Sequence, residues 1–518
     1  MNRAAALARA RRAGAPWDLV VIGGGATGVG IALDAASRGY ETLLLERGDF
    51  GKGTSSRSTK LVHGGVRYLE RGNIGLVVEA LRERGILRQN APHLVTDLAF
   101  VVPNYDWWEA PFYGLGLKVY DVLAGKYGFG SSAMLSREET LERLPTLETR
   151  GLRGGVVYFD GQFDDARLLI HLAETAGEQG ATLLNYVEAI GLTKGPRGSV
   201  TGVLARDRES GDEWRVEGRV VVNAAGPFAD SVRRLAEPGA APIIAPSQGI
   251  HLVFDRVFLP GDSAILVPHT SDSRVMFAIP WHGHTLVGTT DTPVAEATPE
   301  PRPLDAEIDF VLATAGRYLR RAPARSDVLS AFAGIRPLVR SGRQLTAMLS
   351  RDHAVHVDAS GLLTSAGGKW TTYRRMAEDT VDEAARLARL PERPCVTRTL
   401  RIHGHHPDAG SLGALSVYGS DAGAIRELMR EDPSLAAPLH PALPYVGAEV
   451  VWAVRREMAR TVEDVLARRL RALFLNARAA VEMAPAVASL AARELGWDDE
   501  RRRRQVEEFT ELARGYVL

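Results

Sequence analysis

The chain has 518 residues, 45% of them hydrophobic and 24% charged, with Lys+Arg and Asp+Glu equal at 63 each. That length implies two or three domains, and the charge balance leaves no global field drawing the protein to nucleic acid or to a membrane. The single cysteine, Cys395, excludes internal disulfides and thiolate metal clusters and fits a reducing compartment, and no apolar run is long enough to span a bilayer.

The first 14 residues are rich in Ala and Arg and lack the apolar core of a secretion signal. They read as a frayed tail, with a short membrane-surface helix as the alternative. Leu19 to Ile22 is then a short apolar run suited to a buried strand. It ends in Gly23-x-Gly25-x-x-Gly28, followed by a helix-like segment to Arg38, a break at Gly39-Tyr40, and a second strand-like run ending in Glu46. Strand, glycine turn, helix, strand and acid in that order form a dinucleotide-binding unit. Gly23 permits the tight turn, Gly25 lets the backbone approach a pyrophosphate, and Gly28 lets helix and strand pack closely. The helix N-terminus around Ala26 and Thr27 offers free N–H groups to the anion. Glu46 is placed to accept from ribose hydroxyls, and an acid there argues against a 2′-phosphate.

Gly51 to Leu61 is small, hydroxylated and basic, and contains Thr54, Ser55, Ser56 and Lys60. Such a loop suits a pyrophosphate and flavin; a flexible surface loop is the other reading. Its spacing is not that of a P-loop. His63-Gly64-Gly65-Val66-Arg67-Tyr68 crowds proton-transferring and anion-holding side chains around two glycines, unless His63 and Arg67 are ordinary residues of a helix start. Asn104 to Gly130 carries Trp107, Trp108, Phe112, Tyr113, Leu115, Leu117 and Tyr120. It reads as an inserted core element or as an amphipathic patch in a membrane interface.

A helix from about Asp164 to Gly180 and a parallel strand at Ala181–Tyr186 come next. Hairpin strands near 191–206 and 213–222 follow, and Val220 to Val222 leads into the small-residue turn Asn223-Ala224-Ala225-Gly226-Pro227. Strands at Gly249–Phe254, Ser263–Leu266, Arg274–Trp281 and Thr285–Thr290, with a turn at Ser271-Asp272, imply an antiparallel sheet threaded into the first domain. His282 and His284 read as exposed. Asp305–Arg320 is helical. Arg336 ends a strand before Pro337, which holds it extended and outward, and a further hairpin begins at Leu349–His353. Leu362 to Arg374 is a strand, a turn at Gly367-Gly368 and a second helix N-terminus, with Lys369, Trp370 and Thr371 at its mouth. That dipole suits an electron-rich group such as a reduced flavin.

Beyond residue 396 helical periodicity dominates, and Val451, Val454, Met458, Val462 and Val465 form one apolar stripe. His403, His405 and His406 read as a loop rather than a metal site, because no acid or thiol stands at ligand spacing beside them; no metal is expected.

The words His63-Gly64-Gly65-Val66-Arg67-Tyr68-Leu69-Glu70, Gly334-Ile335-Arg336-Pro337-Leu338 and Gly367-Gly368-Lys369-Trp370-Thr371-Thr372-Tyr373-Arg374 closely resemble those of FAD-dependent, quinone-linked glycerol-3-phosphate dehydrogenases. The matching words run through residues 17–380 in the family's order. Ala225 replaces a usual Thr and Trp370 a common Leu, and neither removes a needed chemical group.

The resemblance implies an α/β fold of the glutathione reductase/D-amino acid oxidase type, with an interleaved antiparallel-sheet domain and a C-terminal helical cap. FAD-binding segments would be about 17–104, 151–242 and 330–385, substrate-domain segments about 105–150 and 243–329, and the cap 396–518. It implies oxidation of sn-glycerol 3-phosphate to dihydroxyacetone phosphate, with electrons passing to FAD and then to a membrane quinone. His63 is the favoured base, since a group titrating near neutrality suits removal of the C2 hydroxyl proton. Arg67 and Arg336 join it as catalytic residues, and Arg67, Tyr68, Arg336, Arg351 and Lys369 would hold substrate. Besides the residues of the glycine turn and the Thr54 loop, FAD contacts are implied for Arg47, Leu61, His63, Gly64, Gly65, Val187, Ala225, Gly226, Gly334, Gly368, Lys369, Trp370 and Thr371. The enzyme would attach peripherally to the inner face of the cytoplasmic membrane, with a homodimer left open. Rival readings are an O₂-using glycerol-3-phosphate oxidase, an amine or amino-acid oxidase of the same fold, and a non-catalytic flavin-binding protein.

Overall fold

Trp17–Ile22 is the strand around which the first sheet is built. The computed structural model of the chain describes residues 1–12, 14–65, 73–107, 109–268, 270, 275–340 and 353–518. This strand is fully buried from Leu19 to Val21 and pairs in parallel with Thr42–Leu45 on one side and Glu213–Asn223 on the other. An apolar run buried on both faces is what such a central strand requires. Thr182–Leu184 extends the sheet beyond Thr42–Leu45, and Leu363–Gly367 joins beyond Glu213–Asn223. The helix Ala26–Ser37 packs on it, against helices Asp165–Glu178 and Tyr373–Ala388. The expected turn at Ser271-Asp272 and the start of the hairpin at Leu349 lie outside the described residues.

Among the described residues the second sheet has ten strands. At one edge of it lies the long antiparallel pair Ile244–Asp255 and Val328–Val339. It is not purely antiparallel, because Ser263–Val267 runs parallel to Val95–Asn104. It also recruits Leu61–Val62, Val95–Asn104, Gly154–Phe163 and Val328–Val339. The sequence reading gave those segments to the nucleotide domain. They are buried along most of their length, as strands of either sheet can be, so pattern alone does not assign them.

The first residues differ from the frayed tail expected. Arg3–Ala10 is a helix capped by the Asn2 side chain, which accepts from the Ala5 N–H at 3.0 Å. Eight residues are too few to hold a helix alone. Arg3 bonds Asp207 at 2.7 Å and Arg9 bonds Glu41 at 2.6 Å, and these contacts tie it to the first domain.

The C-terminal region is helical, as its periodicity predicts, but the Val451–Val465 stripe is not one helix. Gly447–Arg456 ends, Met458 takes a left-handed φ of 57°, and a new turn of helix begins at Asp464. The stripe is still one buried face. This cap seats on the second sheet, where Phe332 and Phe474 meet edge to face at 4.8 Å between centroids. Buried ion pairs fasten it to the first domain: Arg167 to Glu457 at 2.6 and 2.9 Å, and Arg468 to Asp49 at 2.5 Å. Burial alone would raise the Asp49 carboxyl; the Arg469 and Arg468 guanidinium groups outweigh it and hold the group below its ordinary value.

Candidate active site

The glycine turn has the crowding that a nucleotide cradle needs. A Cβ on Gly28 would lie 1.9 Å from the Gly23 carbonyl oxygen, so no larger residue fits. Gly25 stands at the N-cap of helix Ala26–Ser37 with no side-chain cap, leaving that end to an anion. Ser55 Oγ accepts from the Ala26 N–H at 2.9 Å, which brings the Thr54–Ser56 turn over the helix start. Glu46 accepts from the N–H groups of Gly24 at 2.6 Å and Gly48 at 2.7 Å. Each carboxylate oxygen retains a second lone pair for a ribose hydroxyl. Burial raises the Glu46 carboxyl above its ordinary value, partly offset by those two amides. Val187 donates its N–H to the Glu46 carbonyl at 2.8 Å, and the Arg47 guanidinium stacks 4.5 Å from the Phe228 ring centroid beyond Ala225 and Gly226.

From this cradle a cavity of about 630 Å³ opens between the two sheets. Its lining includes Thr54, Leu61, His63 and Gly65 from the loop after the second strand, Gly334 and Arg336 from the second sheet, and Gly368, Lys369, Trp370 and Thr371 from the second helix N-terminus. Three segments separated by up to about three hundred residues thus line one cavity. The indole N–H of Trp370 donates to the Ser55 carbonyl at 2.8 Å, and the His63 N–H donates to Thr371 Oγ1 at 3.1 Å. These bonds join the two halves of the cavity rim.

Arg336 reaches Thr289 Oγ1 at 3.0 Å and Asp291 at 3.3 Å, partly exposed into the cavity. Asp291 in turn accepts from the Ser247 hydroxyl. The guanidinium is therefore aimed by an acid that is itself held. Gly64, predicted to touch the cofactor, donates its N–H to Tyr120 Oη at 2.9 Å. Tyr120 donates to Asp160 at 2.7 Å, and Arg84 pairs with Asp160 at 2.6 Å. Burial and the neighbouring Asp160 hold the Tyr120 phenol well above its usual range, so it stays a donor.

One residue is not where the reading put it. Lys60 is fully buried with its ammonium turned away from the cavity. It donates to Asp165 at 2.7 Å and to the Ser56 carbonyl at 2.9 Å, and it lies 5.1 Å from the Trp281 ring centroid. A left-handed φ of 64° at Lys60 turns the side chain inward while the chain continues to His63. Ser56 is buried with it, its carbonyl shared with Arg471. Arg67, Tyr68 and Arg351 lie outside the described residues. His282 is also more than an exposed turn residue: its Nε2 meets Asp164 Oδ2 at 2.9 Å.

The sequence reading missed several wall residues. His251 stacks on Phe332 with 5.0 Å between centroids and meets Thr59 Oγ1 at 2.9 Å. Burial, with Lys60 and Arg336 nearby, keeps this imidazole neutral, well below its ordinary value. A histidine in an apolar strand gives no local signal, and neither do Thr289, Asp291 and Asp160.

A nucleotide cradle opening onto a walled basic cavity is the plan of a flavin-dependent oxidoreductase of the D-amino acid oxidase type. The family model described as "FAD dependent oxidoreductase" matches residues 18–374, and "C-terminal domain of alpha-glycerophosphate oxidase" matches 366–502. A probable mitochondrial glycerol-3-phosphate dehydrogenase of Caenorhabditis elegans is 42% identical, aligned over 95% of this chain and 73% of its own length. The human mitochondrial enzyme is 41% identical over 95% of this chain and 72% of its own length. The glycerol-3-phosphate dehydrogenase of Bacillus halodurans, solved with FAD, superposes with a TM-score of 0.80 at 32% identity and covers 100% of this chain and 98% of its own. L-α-glycerophosphate oxidase of Mycoplasma pneumoniae shares the fold, with a TM-score of 0.57 at 17% identity over 75% of this chain and 98% of its own. The chain belongs to the FAD-dependent glycerol-3-phosphate dehydrogenase family, and FAD is its cofactor.

Proposed function

We propose that this chain oxidises sn-glycerol 3-phosphate to dihydroxyacetone phosphate and passes the electrons to a membrane quinone. The observation that carries the reading is the convergence of Arg336, Lys369 and His63 on one cavity beside the second helix N-terminus. The residues of the glycine turn, Glu46 and the Thr54–Ser56 loop would hold FAD, which when bound supplies the acceptor for the C2 hydride.

Arg336 and Lys369 bind the phosphate dianion, the first as a fork and the second as a point charge. His63, on the same wall, takes the proton of the C2 hydroxyl. The apolar walls, including Phe277 and Leu338, limit water around the reacting carbon. Arg67, Tyr68 and Arg351 are proposed beside them from the family words alone.

The quinone and membrane parts of the reading rest on one exposed face. In helix Glu109–Ala124, Leu115 is 72% and Phe112 53% exposed, and both also line the cavity. An apolar surface running from solvent to the cavity mouth suits a lipophilic acceptor and an interfacial seat. No helix among the described residues is long and apolar enough to cross a membrane, so attachment would be peripheral. The inner face of the cytoplasmic membrane is the proposed location, and a homodimer is compatible with it.

Anaerobic mixing with glycerol 3-phosphate tests the reading: the visible flavin band should bleach, and a quinone should restore it. Bleaching by glycine or D-amino acids instead would make this an amine oxidase. Rapid oxygen uptake without quinone would make it an oxidase.

A further inference from the structure

The cap meets the first domain at a second polar cluster, far in sequence from the cavity. His403 stands at its centre. Its Nδ1 meets Glu178 Oε1 at 2.6 Å and its Nε2 meets Asp421 Oδ2 at 2.7 Å. Glu174 Oε2 lies 3.7 Å from the same Nε2. Glu174 is only 6% exposed, and this oxygen has no hydrogen bond among the described residues. The nearby Arg167 does not relieve it, being engaged by both oxygens of Glu457.

We propose that Glu174, His403 and Asp421 form a divalent-cation site of the zinc class that pins the helical cap to helix Asp165–Glu178. The three ligand atoms lie within 4.8 Å of one another, one from each residue. Tetrahedral zinc, with bonds near 2.0–2.1 Å, needs its ligand atoms about 3.3 Å apart. The two separations that involve His403, 2.7 and 3.7 Å, straddle that value, so the ligand atoms are close to the spacing an ion needs, and binding it requires the side chains to adjust. An imidazole with two carboxylates suits zinc better than calcium or magnesium, which prefer all-oxygen shells. Glu178 on Nδ1 supplies the outer carboxylate that orients a metal-bound histidine. A water would supply the fourth ligand, as in sites with three protein ligands.

Charge supports the same conclusion. Three carboxyl groups surround one imidazole; with all of them ionised and the ring protonated the cluster carries a net charge near −2. A divalent ion on a neutral ring reduces this to −1, and the Nε2 proton leaves to solvent as the metal takes its place.

The frame is rigid. The His403 N–H donates to Thr175 Oγ1 at 2.9 Å, holding the loop to the helix. Gly404 and Gly419 pass so closely that a Cβ on Gly419 would sit 1.7 Å from the Gly404 carbonyl oxygen. The ligands are therefore held in place before any ion arrives.

The site is independent of the proposed reaction and is tested without activity. Untagged, FAD-loaded full-length protein is stripped with chelator and dialysed against Zn²⁺, and metal per chain is measured by mass spectrometry. About one equivalent should bind, and the melting temperature should rise. Glu174→Gln removes a charge but no hydrogen bond of Oε2, and it should weaken binding by at least ~100-fold and abolish the thermal shift. Glu178→Gln should weaken it by about 10–100-fold. No bound zinc in the wild type, or wild-type binding in Glu174→Gln, would overturn the proposal and leave His403 as an imidazolium shared by three acids.

Discussion

Gly249 makes room for the head of Arg336. A Cβ on Gly249 would come within 2.3 Å of Nη2 and 2.6 Å of Nη1. Across the strand pair Gly249 faces Gly334, where a Cβ would instead crowd Arg57. Gly249→Ala should therefore swing the guanidinium off Thr289 and Asp291 while sparing the fold, because the obstacle is a flexible side-chain end. KM for glycerol 3-phosphate should rise about 10–100-fold, the worth of a charge-assisted hydrogen bond, with FAD content unchanged. An unaltered KM would show that this seat does not hold substrate.

Arg336 is read as a phosphate ligand rather than as part of the sheet's own ion pairing. If so, Arg336→Ala should lower kcat/KM for glycerol 3-phosphate by ~10²-fold, yet change the weak reaction with glycerol little. Arg336→Lys should recover only part of the loss, because an ammonium cannot fork between the phosphate and Thr289. Equal losses with both substrates would assign Arg336 to structure.

His63 and Tyr120 act at different removes, and kinetics should separate them. If His63 is the base for the C2 hydroxyl, His63→Ala should slow anaerobic flavin reduction by about 10²-fold or more. Tyr120→Phe instead leaves the Gly64 N–H and Asp160 each short of a partner, at a cost of about 1–3 kcal/mol. It should lower thermal stability and slow reduction only modestly, leaving the pH profile in place. Near-normal reduction in His63→Ala would remove that residue from the role.

The buried Lys60 gives a test of stability against pH. Burial pulls its ammonium down to about 7 despite the opposing Asp165. Between pH 7 and the ordinary lysine value, the unfolded chain binds the proton and the folded chain does not. Folded-state stability contributed by this group therefore rises with pH across that window. Relative to Lys60→Met, the wild type should gain up to about 1.4 kcal/mol per pH unit there. Denaturant midpoints of both proteins at pH 7, 8 and 9 check this. A constant difference would mean that Lys60 keeps its proton in the folded state.

The parts legible in the sequence are those fixed by local chemistry. Gly23, Gly25 and Gly28 with Glu46 announce a cradle because no other residues satisfy its close approaches. Arg336 and Lys369 are flagged by the Pro and Gly beside them. Lys60 misleads because a single left-handed residue reverses its side chain, and neighbouring residues do not reveal that. His251, Tyr120 and Asp160 are silent because their roles come from pairing across the sheets. The acids around His403 stand more than two hundred residues away on helix Asp165–Glu178, or eighteen residues on at Asp421, so spacing near His403 gives no hint of them. Sheet membership of Val95–Asn104 and Gly154–Phe163 is likewise a long-range fact, set by which partner each strand finds.

If the apolar face of helix Glu109–Ala124 is where electrons leave, substrate chemistry and delivery of electrons can be separated there. Leu115 and Val119 are 72% and 42% exposed and one helical turn apart, and both also line the cavity mouth. Replacing both with Glu should leave flavin reduction by glycerol 3-phosphate close to normal, since neither side chain is read as touching the phosphate or the reacting carbon. The same change places two charges where a lipophilic acceptor or lipid would lie, at a cost of order 2–3 kcal/mol each if they are driven into hydrocarbon. Reoxidation by a long-chain quinone in vesicles should then fall by at least ~10-fold, while reoxidation by a small water-soluble dye persists. Co-sedimentation with the vesicles should weaken in parallel. If vesicle binding and quinone reduction both survive, the acceptor reaches the flavin by another face, and this helix is only a wall of the cavity.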